Sequence, residues 1–329
     1  MGEIVNPALA DLQALRPRTA GRDARVFAGS LREVAALVPE FERRPLAAGG
    51  GEAAARPDLQ VVVRRASPGL GMTEIPVGVV SRRQPMIPHA RVIQAIERAL
   101  GVARADPAQA RAELELAEFG ARMSLAIDFP ACFDLDPGDG EPFGLRLLAG
   151  NAVHGGGLRL LMCWGRRASG CSIAVGTTRL ELRLAHRLPA RLADVIPTVQ
   201  QALEQKESER AALAGWRHRL VTRDQLATWA NGAVRRMWGA RDAARIFHVA
   251  MTGWEGEPAF GAERVPPARR TMQATLPVPG APAFAETVYD ALLAAAWVGG
   301  EARTAEQRLD RAVEVAVLMR VLLRGGRVK

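Results

Sequence analysis

Hydrophobic and polar residues alternate with a period of two in much of the first half of the chain. Residues 112–118 (AELELAE) place two leucines on one face and two glutamates on the other, and residues 179–184 place three leucines opposite two arginines and a glutamate. Such alternation is typical of a half-buried β-strand. Apolar segments rich in valine and leucine predict further strands at 59–63, 74–81, 123–129, 143–148, 158–164 and 171–175.

After Pro189 the apolar spacing changes to three and four, which is the spacing of helices. Thr222 with Gln225, and Thr304 with Gln307, have the spacing of capping boxes, in which side chains satisfy the first free amides of a helix. The predicted helices are 194–214, 223–237, 241–250, 283–298 and 305–323. The Gly- and Pro-rich residues between two of them, 253–282, are predicted to form a surface loop.

One helix is predicted among the strands, with Pro88 near its start and Gly101 at its C′ position. Elsewhere strands come first and helices follow, which favours an α+β fold over alternating α/β. We therefore predict an antiparallel-rich sheet, from about residue 59 to 187, packed against a C-terminal set of helices.

This arrangement predicts a single α+β domain over residues 59–329, with the sheet part in 59–187 and the helical part in 188–329. Residues 1–58 are interpreted as an N-terminal arm and a flexible linker, because the segment 47–57 (AAGGGEAAARP) is rich in Gly and Ala.

Charge is distributed unevenly along the predicted sheet. Residues 142–192 contain eight arginines and one carboxylate, whereas residues 111–141 contain eight carboxylates and two arginines. A strongly basic face attracts polyanions. Only two of the 44 basic residues are lysines, a composition that a GC-rich genome also produces, so the positions of the arginines are more informative than their number.

The arginines that alternate with leucines are predicted to line one basic face of the sheet. Trp164 stands directly before Gly165, Arg166 and Arg167, and aromatic rings beside cations hold single-stranded nucleic acid by stacking and by phosphate contacts. Packing of Trp164 in the core is the alternative interpretation. The predicted nucleic-acid-binding residues are Arg146, Arg159, Trp164, Arg166, Arg167, Arg179 and Arg183.

No motif in the sequence identifies a reaction. The five histidines and three cysteines lack the spacing of a zinc site, and the acidic loop 134–140 lacks the EF-hand pattern. Glycines 155–157 precede a strand, whereas a phosphate-binding loop precedes a helix. Ser81 or Cys163 would be a nucleophile only if the fold placed a base beside it. We therefore expect no enzymatic activity, metal ion or cofactor.

The beginning of the chain contains no apolar segment of signal-peptide length. No segment approaches the ~18 apolar residues of a membrane helix. Three cysteines without a CxxC pair are typical of a reduced compartment. We expect a cytoplasmic protein without a membrane partner.

Several segments share an order of motifs with a known family. They are IPVGVVSRRQPMIPHARVIQAI (75–96), the region 145–176 with its Gly turn and Cys171-Ser172, the strand that ends at His186, and the helical segments 289–300 and 303–323. Together they resemble the domain of unknown function 932 family, which phages, plasmids and bacterial genomes encode.

This sequence departs from the family pattern at two places. Ile173-Ala174 stand where the family has Asn-Gly, and Arg83-Gln84 stand where it has an aromatic residue. The resemblance implies a mobile-element or phage setting and no agreed activity, so it assigns no catalytic residue. A sheet backed by helices in such a setting is also similar to single-strand annealing proteins, an analogy at the level of fold alone.

Two functions are compatible with these observations. The first is a non-catalytic nucleic-acid-binding protein of a phage- or plasmid-like system, with binding or annealing of single-stranded DNA favoured. The alternative is a self-assembling structural or interaction protein that binds no nucleic acid. In that homo-oligomer the acidic 111–141 hairpin of one copy would contact the basic sheet of the next.

Overall fold

A large antiparallel sheet lies at the centre of the protein. The structure is a computed structural model that describes residues 24–46, 58–67, 71–155, 157–166, 172–173, 181–184, 192–261 and 264–325. The strands of the sheet are β1 (Arg25–Ser30), β5 (Arg111–Ala117), β6 (Arg122–Asp128), β7 (Phe143–Ala152), β8 (Gly157–Arg166), β9 (Ser172–Ile173) and β10 (Glu181–Leu184). Their order is β1-β5-β6-β7-β8-β10, and β9 also pairs with β8.

Two smaller antiparallel sheets complete the described strands. One has the order β2-β3-β4, and the other is the hairpin β11–β12. Their strands are β2 (Phe41–Pro45), β3 (Leu59–Arg64), β4 (Ile75–Ser81), β11 (Trp254–Pro258) and β12 (Met272–Pro277). Antiparallel sheets followed by mostly C-terminal helices confirm the predicted α+β fold.

The helices lie mainly in the second half of the chain. They are α1 (Leu31–Ala35), α2 (His89–Val102), α3 (Val195–Glu204), α4 (Lys206–Arg217), α5 (Arg223–Trp229), a π-helical segment (Ala230–Val234), α6 (Arg235–Thr252), α7 (Val288–Gly300) and α8 (Ala305–Leu323). Both predicted capping boxes are confirmed, at Thr222 and Thr304. Among the described helices, none has both the length and the apolar character needed to span a bilayer.

Two helix boundaries were predicted wrongly. The helix predicted over 194–214 is interrupted at Gln205, where α3 ends and α4 begins. Gly101 lies inside α2, which continues to Val102, so it is not the C′ residue that the Pro–Gly pattern indicated.

The apolar face of the large sheet forms the main core. α1, α2 and α3 pack near this face, and the same core continues through α6 into α7, which is buried along most of its length. Its members from β5 to β8 are Leu114, Leu116, Leu125, Ile127, Leu145, Leu147, Leu158, Leu160 and Met162. The alternation in the sequence therefore assigned these residues to the correct face.

The opposite face of the sheet is covered by α8. Leu309 and Val313 of this helix pack against Leu161 and Cys163 of β8 in a second, smaller core. Three ion pairs join the helix to the strands: Arg308–Glu115 at 2.6 Å, Arg159–Asp310 at 2.8 Å and Arg122–Glu306 at 2.8 Å. The charged face that we expected at the surface is an interface between sheet and helix.

The N-terminal residues 24–46 contribute strands to two sheets and are not an arm. β1 pairs with β5 along its whole length, and β2 pairs with β3. Leu31 and Val34 of α1 are buried in the main core. The predicted boundary at residue 58 is therefore wrong for residues 24–46, because their strands are part of both sheets. The predicted linker at 47–57 lies outside the described residues.

The surface loop predicted over 253–282 is also wrong in part. Residues 254–258 and 272–277 pair as the antiparallel hairpin β11–β12. Most side chains of β12 are exposed, so the hairpin has few apolar positions that could have indicated strands in the sequence.

A buried carboxylate on α4 makes the stability of the fold depend on pH. Glu209 is buried, and its Oε2 atom has no hydrogen-bond partner in the described part of the chain. Burial raises the pKa of Glu209 from its ordinary 4.5 to about 7. A raised pKa means that the folded state binds the proton more tightly than the unfolded chain does. The contribution of Glu209 to the free energy of unfolding is therefore fully present below pH 4.5 and is lost as the pH rises through about 7.

Glu209→Gln removes this charge and keeps the shape of the side chain. We expect it to raise the free energy of unfolding by about 1–3 kcal/mol at pH 8 and to reduce the loss of stability between pH 5 and pH 7. Urea denaturation at the three pH values measures both effects. Glu207→Gln is the control, because Glu207 is exposed on the same helix. An identical pH dependence in the two variants would contradict the assignment to Glu209.

Candidate nucleic-acid interface

The three arginines of the predicted basic face whose side chains are described, Arg146, Arg159 and Arg166, are held inside the protein. Arg146 lies directly opposite Asp128 on the neighbouring strand and donates two hydrogen bonds to it, Nε to Oδ1 at 2.6 Å and Nη2 to Oδ2 at 2.9 Å. Arg159 is paired with Asp310 of α8. Since α8 covers the face of the sheet on which both side chains lie, neither arginine belongs to an exposed basic surface.

Arg166 is the most deeply buried arginine among the predicted binding residues that the structure describes. Its guanidinium lies 5.9 Å from the ring centroids of Phe143 and of Tyr289, and its Nη2 is 3.3 Å from Oδ2 of Asp139. The Tyr289 hydroxyl donates to the same Oδ2 at 2.7 Å, and burial together with this hydrogen bond raises the pKa of Tyr289. These contacts give Arg166 a structural role in the described fold.

Trp164 is a core residue. It is 4% exposed and belongs to the main core, so the interpretation as an open stacking platform is wrong and the packing alternative is confirmed. Arg167 and Arg179 lie outside the described residues, and only the backbone of Arg183 is described. The predicted binding residues whose side chains are described, Arg146, Arg159, Trp164 and Arg166, therefore form no exposed surface.

Parts of the acidic and basic segments are paired within one chain. Acidic β5 and β6 lie beside β7 and β8 in the sheet, and Asp128 and Asp139 of the acidic segment contact Arg146 and Arg166 of the basic one. These two ion pairs need no second copy of the chain. They give the predicted contact between the acidic hairpin and the basic sheet of another copy no support.

Neither candidate nucleophile lies in a catalytic arrangement. Burial raises the pKa of the Cys163 thiol to about 12, which leaves it protonated at neutral pH. The Ser81 hydroxyl accepts a hydrogen bond from the Arg83 amide at 3.3 Å. Within the described ranges, no group of His, Cys, Asp and Glu could hold a metal ion.

A different basic site lies between α5, α6 and the hairpin. Here three arginines line an open groove of about 400 Å³, a volume within the range of about 300–1,000 Å³ that ligand sites have. One wall is the stripe of α6 residues at positions 244, 247, 248 and 251, which share a helix face because of their spacing. We call this cavity the arginine groove; its lining residues are Arg223, Ala244, Phe247, His248, Met251, Pro267, Ala268, Arg269, Arg270 and Met272.

The rim of the arginine groove is fixed by backbone contacts. The π-helical segment presents Asn231, whose Oδ1 accepts a hydrogen bond from the Ala268 amide at 3.0 Å. The guanidinium of Arg270 donates through Nε to the Val265 carbonyl at 2.9 Å. Burial lowers the pKa of His248, so this histidine is neutral at pH 7 and the positive charge of the groove comes from its arginines.

The hairpin next to the groove is anchored by a buried ion pair. Glu255 at its base accepts hydrogen bonds from Arg245 Nε at 3.0 Å and Nη2 at 2.9 Å, and from Trp297 Nε1 at 2.7 Å. α6 and α7 thus hold β11 in place. The rest of the hairpin projects aromatic residues into solvent, because Trp254 is 44% exposed and Phe260 is fully exposed.

Several arginines around this hairpin have no internal counter-charge. Residues 219–277 contain nine arginines and five carboxylates. Three of the carboxylates, Asp242, Glu255 and Glu257, are bound to Arg245 or Arg241. The exposed arginines that form no ion pair with any described residue are Arg223, Arg235, Arg236, Arg264 and Arg269. Solvent-exposed arginine and aromatic side chains thus occur in the same segment of the chain, 219–277, a combination that the sequence had indicated near Trp164.

The sequence contained a weak signal for this site. Arg235-Arg236 and Arg269-Arg270 are the arginine pairs of the helical half, and Trp254 and Phe260 lie between them. The residues were assigned to core helices and to a loop, so the groove that Arg269 and Arg270 line became visible only in the fold. Comparison with protein-family models, curated protein sequences and solved structures finds no match to this chain.

Proposed function

We propose that the protein binds single-stranded nucleic acid without sequence preference, on the surface formed by the arginine groove and the β11–β12 hairpin. The observation that carries this proposal is the presence of exposed aromatic rings, and of exposed arginines that form no ion pair with a described residue, on one anchored hairpin and the adjoining helices. Proteins of this kind combine a positive groove for phosphates with aromatic rings on which bases stack. The function expected from the sequence is thus retained at a different site.

Single strands fit this surface better than duplexes do. Trp254 and Phe260 offer exposed ring faces, and stacking on them requires bases that are free of a duplex. Reading a duplex by sequence would require an element that enters a groove of the DNA. The exposed rings are therefore the reason to favour single strands, with no catalytic step proposed.

A charge reversal in the groove tests the proposal. We expect Arg223→Glu/Arg269→Glu to weaken binding of a fluorescent 20-nucleotide single strand at least ten-fold. The plot of log K against log salt should flatten by about 0.7 for each phosphate that the variant no longer neutralises. Fluorescence anisotropy at several salt concentrations measures both. The melting temperature should change little, because these exposed side chains have no ion pair to lose.

The matched control is Arg91→Glu/Arg98→Glu on α2. These arginines are also exposed and unpaired within the described chain, and the net charge changes by the same amount. Loss of binding in the groove variant alone supports the proposed surface. Equal losses in both variants would show a diffuse effect of net charge, and no binding by the unaltered protein would overturn the function.

The self-assembly alternative has its own readout. If the protein binds no oligonucleotide and light scattering shows a mass that rises with concentration, the exposed apolar residues of the hairpin become the candidate contact between copies. The membership of the domain of unknown function 932 family, and the phage or plasmid setting that it implies, stay predictions from the quoted motifs.

A further inference from the structure

The geometry points to a nucleotide-binding role for the arginine groove: it holds one nucleotide unit, with the phosphate at the arginine rim and the base on the apolar floor. This inference rests on the proposed function, since it names the ligand that the same interface takes at one position. The proposed surface contacts a nucleic-acid single strand along its backbone. The inference adds to this surface a defined site for one nucleotide.

The lining of the groove divides into two chemically different parts. Arg223 and Arg269 supply permanent positive charge and planar donor groups that match phosphate oxygens, and Arg270, whose Nε is bound to the Val265 carbonyl, adds its positive charge to the same rim. Met251 on α6 and Met272 on β12 supply two partly exposed thioethers, and the Phe247 ring also lines the groove, although most of it is buried in the main core. A ligand that satisfies both parts must have an anionic end joined to a flat, weakly polar ring.

Inorganic phosphate would contact the arginines and leave the apolar floor exposed to solvent. A nucleoside would contact only the floor. A phosphorylated nucleoside satisfies both. The groove provides space of about 400 Å³, and sites of that size bind small ligands. By contrast, the cavity between the sheet and α8 is only about 50 Å³, and its lining pairs Glu113 and Glu115 with Arg146 and Arg308, so it has neither the room nor an excess of positive charge for a phosphate.

Hydrogen bonds of the fold hold the backbone that carries the groove arginines. The Asn231–Ala268 hydrogen bond fixes the turn that carries Arg269, and the Glu255 contacts fix the strand that precedes it. A site held in this way binds with little reorganisation, and preorganisation is what raises affinity for small ligands.

Isothermal titration calorimetry with adenosine 5′-monophosphate, adenosine and inorganic phosphate tests the inference on the full-length protein. We expect the nucleotide to bind at least ten-fold more tightly than either fragment. Arg269→Gln, which removes one rim charge, and Met251→Trp, which fills the floor, should each weaken nucleotide binding at least ten-fold. Arg98→Gln on α2 is the control and should bind like the unaltered protein. A thermal melt shows whether Met251→Trp remains folded, and Arg269→Gln leaves the core untouched.

Four outcomes separate this inference from the function on which it rests. Oligonucleotide binding without nucleotide binding overturns the inference and leaves the proposed function in place. Phosphate that binds as tightly as the nucleotide also overturns it, because the groove would then be a simple anion site. If the nucleotide competes with a labelled oligonucleotide, the ligand of the groove is one nucleotide of a bound single strand. Nucleotide binding without competition supports a free nucleotide as the ligand and counts against binding of the oligonucleotide at the groove.

Discussion

Removal of α8 by ending the chain at Thr304 is expected to abolish cooperative folding. α8 buries six large apolar side chains, and burial of each contributes about 1.5–3 kcal/mol. The sum is about as large as the entire free energy of unfolding of a typical protein, about 5–15 kcal/mol. The residues concerned are Leu309, Val313, Val315, Leu318, Met319 and Leu322.

Loss of α8 would also leave charges without partners. Glu115 and Arg159 would lose Arg308 and Asp310, and the apolar Leu161 and Cys163 would meet water. Insoluble protein, or soluble protein without a cooperative thermal transition, is the expected result. Expression yield, near-UV circular dichroism and a thermal melt measure it.

A shorter deletion provides the control. A chain that ends at Gly325 keeps α8 whole, and we expect it to melt like the full-length protein. If the chain that ends at Thr304 were soluble and melted cooperatively, α8 would be an accessory to an independently stable sheet, and the second face of the sheet would be free for a partner.

Trp164→Ala is expected to destabilise the protein by about 3–5 kcal/mol, because truncation of a large core aromatic leaves a cavity that the surroundings fill only in part. Trp164 is 4% exposed, between Leu145 and Ile173 on the neighbouring strands. Urea denaturation measures the loss. Oligonucleotide affinity per folded molecule should be unchanged, because the residue is not at the surface.

Trp254→Ala is the matched control, since it removes the same side chain from a site that is 44% exposed. We expect a small change in stability and a loss of about 1–3 kcal/mol in oligonucleotide binding if the ring stacks on a base. The opposite result, in which Trp164→Ala weakens binding of a stably folded protein, would return the interface to the large sheet and contradict the proposed surface.

The corrections to the predicted site have a common cause. Alternation along a strand tells which side chains share a face, but it does not tell what covers that face. Arg159 was correctly placed opposite its leucine neighbours, and the exposed surface inferred from it was wrong because Asp310, about 150 residues later in the chain, lies over it. A charged strand face is solvent-exposed in a two-layer fold and covered in a three-layer one.

The β11–β12 hairpin, which was predicted as a loop, shows that local patterns also miss structure that depends on distant contacts. Gly and Pro in 253–282 correctly indicated turns, yet the pairing of β11 with β12 depends on Glu255, whose partners Arg245 and Trp297 lie on two helices. No local pattern encodes such contacts, so the arginine groove could not be predicted from the segments that form it.

The sequence by itself determined the fold class, most strand positions, the face on which the sheet leucines lie and the two predicted capping boxes. These features depend on the period of apolar residues and on side chains three positions apart, which are local properties of the chain. Three other features follow from the packed fold: which charges are buried, which arginines form no ion pair with a described residue, and where aromatic rings reach solvent. Those properties depend on contacts between distant segments, such as Arg308 with Glu115, where burial and charge pairing are settled by packing.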